Sequence, residues 1–79
     1  MSRIDDLPES LRRYLVEAAL PGSGIEVEDK GYSVALHYRK APKQAEPLRK
    51  HIAAGRIAFP QEKTELLLGK AMFEVKRPG

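Results

Sequence analysis

The stretch Val27-Glu28-Asp29-Lys30-Gly31-Tyr32-Ser33-Val34-Ala35-Leu36-His37-Tyr38-Arg39 reads as a tight hairpin with one oily face and one polar face. A strand turns successive side chains to opposite sides, so the pattern assigns the faces directly. Val27, Val34, Leu36 and Tyr38 alternate on the oily side. Glu28, Lys30, Ser33, His37 and Arg39 fall on the other, where only Ala35 breaks the polarity. The turn is placed at Lys30-Gly31, because glycine accepts positive φ at little cost. Charges carried on two consecutive strands converge on one surface, and the question is what that surface meets.

Working outward, Asp6-Leu7-Pro8-Glu9 opens a helix, with Asp6 as the cap and Pro8 in the first turn. Leu7, Leu11, Leu15 and Ala18 recur at helical spacing, which predicts a helix over residues 8–20. Pro21-Gly22-Ser23-Gly24 stops it. Ile25 and Val27 alternate with Glu26 and Glu28 as a first strand, and the second runs over about residues 32–39. Ala41-Pro42-Lys43-Gln44 leads into a second helix with Ala45, Leu48 and Ile52 inward, Pro47 near its start and Gly55 as its stop. Ile57-Ala58-Phe59 reads as a short strand or a buried loop. Residues 64–68 form a third strand, Gly69-Lys70 a second turn, and residues 71–77 a fourth strand with Ala71, Phe73 and Val75 on one side and Met72, Glu74 and Lys76 on the other.

The order is therefore αββαββ: an α+β two-layer sandwich, in which two helices cover one face of an antiparallel sheet of about four strands. The polar sides of both hairpins are left on the open side of that sheet. Glu28, Lys30, His37, Arg39 and Glu74 share it if the hairpins lie side by side.

The chain has 79 residues, no cysteine and a net charge of +3. A chain of this size buries only about 60% of its unfolded surface, so a modest core must hold it without disulfides or a thiolate metal site. No apolar run approaches the length of a membrane span and the first residues lack the apolar core of a signal peptide, so a cytoplasmic protein with no membrane partner is expected. Basic residues are interleaved with acidic ones, which permits nucleic-acid binding without indicating it. No nucleophile elbow or phosphate-cradling loop is present. His37 and His51 lie in different elements without ligand spacing, so neither a metal site nor a catalytic residue is assigned. What remains is a recognition surface. Carboxylates and ammonium groups at alternate positions suit hydroxyl groups, which both donate and accept, and Arg39 suits a phosphate or carboxylate. A solvated charged face with cross-strand pairs accounts for the same pattern.

On these residues the chain resembles a known family. The run from Val27 to Pro42 and the tail Gly69-Lys70-Ala71-Met72-Phe73-Glu74-Val75-Lys76-Arg77-Pro78-Gly79 are similar to two segments of trehalose 6-phosphate phosphatases, members of the haloacid-dehalogenase-like superfamily. The tail resembles that family's Gly-Lys-x-x-x-Glu-hydrophobic-x-Arg-Pro segment. The resemblance covers about residues 21–42 and 69–79. It implies the small cap that grips the disaccharide over a larger catalytic core. Carried over by position, it implies that Glu28, Lys30 and Glu74 bind the sugar, that Arg39 lies near the substrate at the cap–core junction, and that Lys70 has a structural role or a place at the edge of the site. The family's Asp-x-Asp-x-Thr motif has no match; Ile4-Asp5-Asp6-Leu7 departs from it. The magnesium ligands of the core are also missing. The expectation is a cap domain over residues 7–79 of a larger phosphatase, led by a flexible segment 1–6, inactive alone, with the core domain and trehalose 6-phosphate as partners. The alternative is a small basic nucleic-acid-binding module. Against it, Tyr38 and Phe73 fall on the helix side, where they cannot stack bases.

Overall fold

The computed structural model describes residues 5–78. Expectations for residues 1–4 and for Gly79 lie outside them. The element order is α1 (Glu9–Val16), β1 (Glu26–Asp29), β2 (Ser33–His37), a 3-10 turn (Pro42–Gln44), α2 (Ala45–Ala58), β3 (Glu65–Gly69) and β4 (Met72–Lys76). All pairings are antiparallel, and the sheet order is β1-β2-β4-β3. The αββαββ sandwich follows, with two helices and a four-stranded sheet.

Alternation places the core. Val34 stands opposite Val75 and Leu36 opposite Phe73 on the helix side of the central strands. Leu7 just before α1, Leu11 and Leu15 within it, and Leu48 and Ile52 from α2, close over them. Each fully buried aliphatic side chain contributes about 1.5–3 kcal/mol relative to exposure. Tyr38 tilts against Phe73 on the same side, with ring centroids 5.1 Å apart.

The elements differ in detail from their sequence signals. α1 is shorter than the 8–20 stretch: the amides of Ala18 and Ala19 bond to the carbonyls of Leu15 and Val16, a tightening that ends the helix before Leu20. Asp6 does not cap it. The residue at the cap position is Pro8, without a side-chain bond. The amide of Leu7 donates to the Gly31 carbonyl at 2.9 Å, tying this segment to the β1–β2 loop, and the Asp6 carboxylate lies beside Gly31 instead. Gly31 itself has φ +83° and its amide donates to Asp29 Oδ1. Arg12 of α1 reaches toward Asp29, with Nη1 3.6 Å from Oδ2.

α2 does not stop at Gly55; it continues to Ala58, so Ile57-Ala58 is helix and not strand. Gly55 serves helix packing. Tyr14 of α1 lies where its Cβ would be: a Cβ at 55 would stand 2.5 Å from Tyr14 Cε1. The Tyr14 ring stacks on His51 at 4.1 Å, the Tyr14 hydroxyl donates to the His51 carbonyl at 2.8 Å, and His51 Nε2–H donates to the Tyr14 carbonyl at 2.7 Å. Pro47 falls in the first turn of α2, where its missing N–H has no helical partner to lose. In the same turn, hydrogen bonds and charge from Arg49 hold the Glu46 carboxyl below the usual carboxylate range. What this exposed pair adds is present above the ordinary carboxylate range and is lost as pH falls through Glu46's lowered value.

The second hairpin turns at Lys70-Ala71, one residue later than Gly69-Lys70. Gly69 ends β3, and Ala71 adopts φ +57°. A non-glycine residue there is held against its preference. Ala71→Gly is therefore expected to raise stability by up to about 1 kcal/mol, read as a higher urea midpoint at unchanged slope. A lower midpoint would show that Ala71 carries no strain worth relieving.

Candidate functional site

Strand register builds the open face in rows. Glu26, His37, Met72 and Gly69 form one row; Glu28, Ala35, Glu74 and Leu67 form the next. Ser33, Lys76 and Glu65 form a third, and Lys30 stands beside Ser33, where its amide donates to the Ser33 carbonyl. The face is built by joining β2 to β4. That junction sets Glu74 directly opposite Ala35, between the two hairpins.

The polar side chains pair loosely. Lys30 Nζ lies 3.9 Å from Glu74 Oε2, His37 Nε2 3.8 Å from Glu28 Oε1, and Lys40 Nζ 3.4 Å from Glu26 Oε1. The His37–Glu28 and Lys40–Glu26 pairs are exposed and contribute about 0–1 kcal/mol each, so a ligand that replaces them meets little resistance; Glu74 is more enclosed, its side chain 16% exposed. The Lys30–Glu74 link crosses above β2, because β1 and β4 flank that strand. Beneath it the side chains are small: Ala35 is 2% exposed and Ser33 is fully enclosed. Ser33 Oγ has no hydrogen-bond partner among the described residues. A buried hydroxyl without a partner costs about 1–3 kcal/mol and calls for a reason.

The structure thus brings Glu28, Lys30, Glu74 and His37 together around a floor of Ser33 and Ala35. Arg39 and Lys70 stand apart from that cluster, past the strand ends at the opposite end of the face from Lys30. They lie near each other, because the Tyr38 amide donates to the Ala71 carbonyl at 2.9 Å and carries β2 alongside the second turn. The face therefore has the Glu28 and Glu74 carboxylates in its middle, and Arg39 and Lys70 lie past one end, the end at which Lys40 pairs with Glu26. Ser33 was legible only as one more polar position. Its signal was the succession of two small residues, 33 and 35, at consecutive open-face positions among long charged ones. Among the described residues, no cluster of three or more His, Asp or Glu side chains is arranged to hold a metal ion. Among them too, no helix is long and apolar enough to cross a membrane.

The class that fold and face define is a two-layer α+β domain with a charged open sheet. Compared with known protein families and with curated proteins, the chain matches neither a family model nor a relative.

Proposed function

We infer that this domain is the sugar-recognition cap of a trehalose 6-phosphate phosphatase of the haloacid-dehalogenase-like superfamily, a cytoplasmic enzyme of trehalose biosynthesis. One observation carries the reading: Glu28 and Lys30 from one hairpin and Glu74 from the other, 44 residues further along the chain than Lys30, meet on one open face over a floor of small side chains. These are the positions the resemblance assigns to the sugar. The carboxylates of Glu28 and Glu74 accept from sugar hydroxyls, and the Lys30 ammonium donates to them. Ser33 Oγ lies beneath and gains a partner when the Lys30–Glu74 pair opens onto a ligand. The end marked by Arg39 and Lys70 faces the anionic part of the substrate.

Phosphoryl transfer belongs to a separate core domain carrying the aspartyl nucleophile and magnesium, for which this chain supplies no residues. The cap orients the sugar and excludes water when it closes on that core. The isolated chain has no activity in this reading. The nucleic-acid alternative gains nothing from the face, since Tyr38 and Phe73 pack together on the helix side.

The test is a chemical-shift titration of the chain with trehalose and then trehalose 6-phosphate. In this reading the core domain supplies half of the pocket, so a dissociation constant in the range of about 1 mM or weaker is expected for the chain alone. Shifts should concentrate at Glu28, Lys30, Ser33 and Glu74 and extend to Arg39 and Lys70 only for the phosphorylated sugar. In Glu74→Ala they should be reduced at least several-fold, with the spectrum otherwise that of the folded domain. Saturable shifts on the helix side, or micromolar binding unaffected by Glu74→Ala, would rule out this site.

A further inference from the structure

β1 and β3 are the two open edges of the sheet. An open edge presents unpaired amides and carbonyls, and proteins guard such edges with charge, proline or bulges. β1 is guarded: Glu26-Val27-Glu28-Asp29 carries three carboxylates in four residues. A second copy pairing about Val27 would set Glu26 against Glu28. β3 is bare. Glu65-Leu66-Leu67-Leu68-Gly69 has one charge at its end, no proline, and an unbroken register from Glu65↔Lys76 to Gly69↔Met72. Arg56 caps the Thr64 carbonyl just before the strand. Among the described residues, no loop or side chain bonds to Leu66, Leu67 or Leu68.

The direction of the free groups follows from the turn. Beside a two-residue turn, the flanking pair Gly69↔Met72 exchanges ladder bonds. Alternation then turns the polar groups of Leu67 toward β4 and those of Leu66 and Leu68 outward.

We propose that a second copy of this chain pairs antiparallel along β3, about a two-fold axis normal to the sheet at Leu67. Leu66 of each copy then lies opposite Leu68 of the other, and the outward groups of both form four backbone hydrogen bonds. Leu67 meets Leu67 at the closely spaced, non-bonded position. Glu65 meets Gly69 and Thr64 meets Lys70, so no like charges face each other. The exposed apolar side chains fit the same arrangement. Leu67 is 42%, Leu68 72% and Ile57 77% exposed. Ile57 lines a shallow hollow with Thr64 on the helix side, the side on which Leu66 and Leu68 also stand. The pairing brings Leu68 of one copy toward Ile57 of the other. The axis keeps both charged open faces on the same side of one continuous sheet, presenting two recognition surfaces to one direction. This association is independent of what those surfaces bind.

A five-residue edge makes a small, weak interface, with an expected dissociation constant of roughly 0.1 mM. The test is sedimentation equilibrium of the full chain from about 10 µM to about 1 mM, a range that brackets that value, alongside amide hydrogen exchange by NMR at both limits. The expected result is a rise from monomer to dimer mass, with exchange slowing several-fold at the Leu66 and Leu68 amides and unchanged at Leu67. Leu67→Lys sets two ammonium groups against each other across the axis while giving Glu74 a neighbour within its own chain, and should remain monomeric. A monomer at every concentration would overturn the proposal. So would a dimer without added protection at Leu66 and Leu68, or one that persists in Leu67→Lys. The exchange measurement on the unmodified chain decides the matter even if the variant does not fold.

Discussion

Leu36→Ala is expected to cost about 3 kcal/mol, within the usual range for a buried leucine truncated to alanine. Leu36 is fully buried on the central strand β2, opposite Val27 on one side and Phe73 on the other. The two central strands and both helices meet around it, so the cavity is walled by ladder-bonded backbone that cannot close in. A domain of this length has a total stability of only about 4–12 kcal/mol. The loss should therefore lower the melting temperature by about 12–24 °C. A drop under about 5 °C, checked by thermal denaturation, would mean that the helices settle into the vacated space and that the core is less tightly built than its register implies.

Gly55→Ala should reverse the ordinary sign of that substitution. In a helix interior, alanine is favoured over glycine by about 1 kcal/mol. Here the new methyl would press on the Tyr14 ring, with Cε1 and Cδ1 at 2.5 and 2.7 Å. A flexible side chain would swing away. Tyr14 cannot do so cheaply, because it is stacked on His51 and its hydroxyl is bonded to the His51 carbonyl. Overpacking of this kind costs about 1–3 kcal/mol, so after the helix preference is counted the net effect is a destabilisation of up to about 2 kcal/mol, centred near 1 kcal/mol. The diagnostic result is the double-mutant cycle. In a Tyr14→Ala background the same Gly55→Ala change should become neutral or stabilising, giving a coupling of about 2 kcal/mol between the two positions. Additive effects would place the cause of the glycine elsewhere.

Much of the fold was legible because strand alternation is local. Val34, Leu36, Phe73 and Val75 were assigned to the helix side from spacing alone, and all four are buried. The same rule puts Glu28, Lys30, His37 and Glu74 on the open side; register places Glu28, His37 and Glu74 there, and Lys30, one residue past β1, approaches Glu74 across it. What misled was single-residue punctuation. Gly55 carries the signal of a helix stop, yet it sits inside α2 because another helix needs the space. Asp6 carries the signal of a cap, yet Leu7 is bonded to Gly31 and draws the segment away from the helix end. Gly69 carries the signal of the turn, yet Ala71 takes the positive φ. In the first two cases a contact distant in sequence outweighed a local preference worth about 1 kcal/mol.

Backbone periodicity alone sets which side of each hairpin strand is polar, the succession of helix and hairpin repeated twice, and the inward faces of Leu11, Leu15, Leu36 and Leu48. That the two hairpins join through β2 and β4 is set by long-range packing. That junction sets Glu74 beside Ala35 and draws Lys30 across to it, so that the charges form one cluster and not two separate rims. It also left the charged β1 and the bare β3 as the open edges. Sheet order is a choice among pairings of similar local quality, settled by how two helices can cover one hydrophobic face, and residues four or five apart carry no record of it.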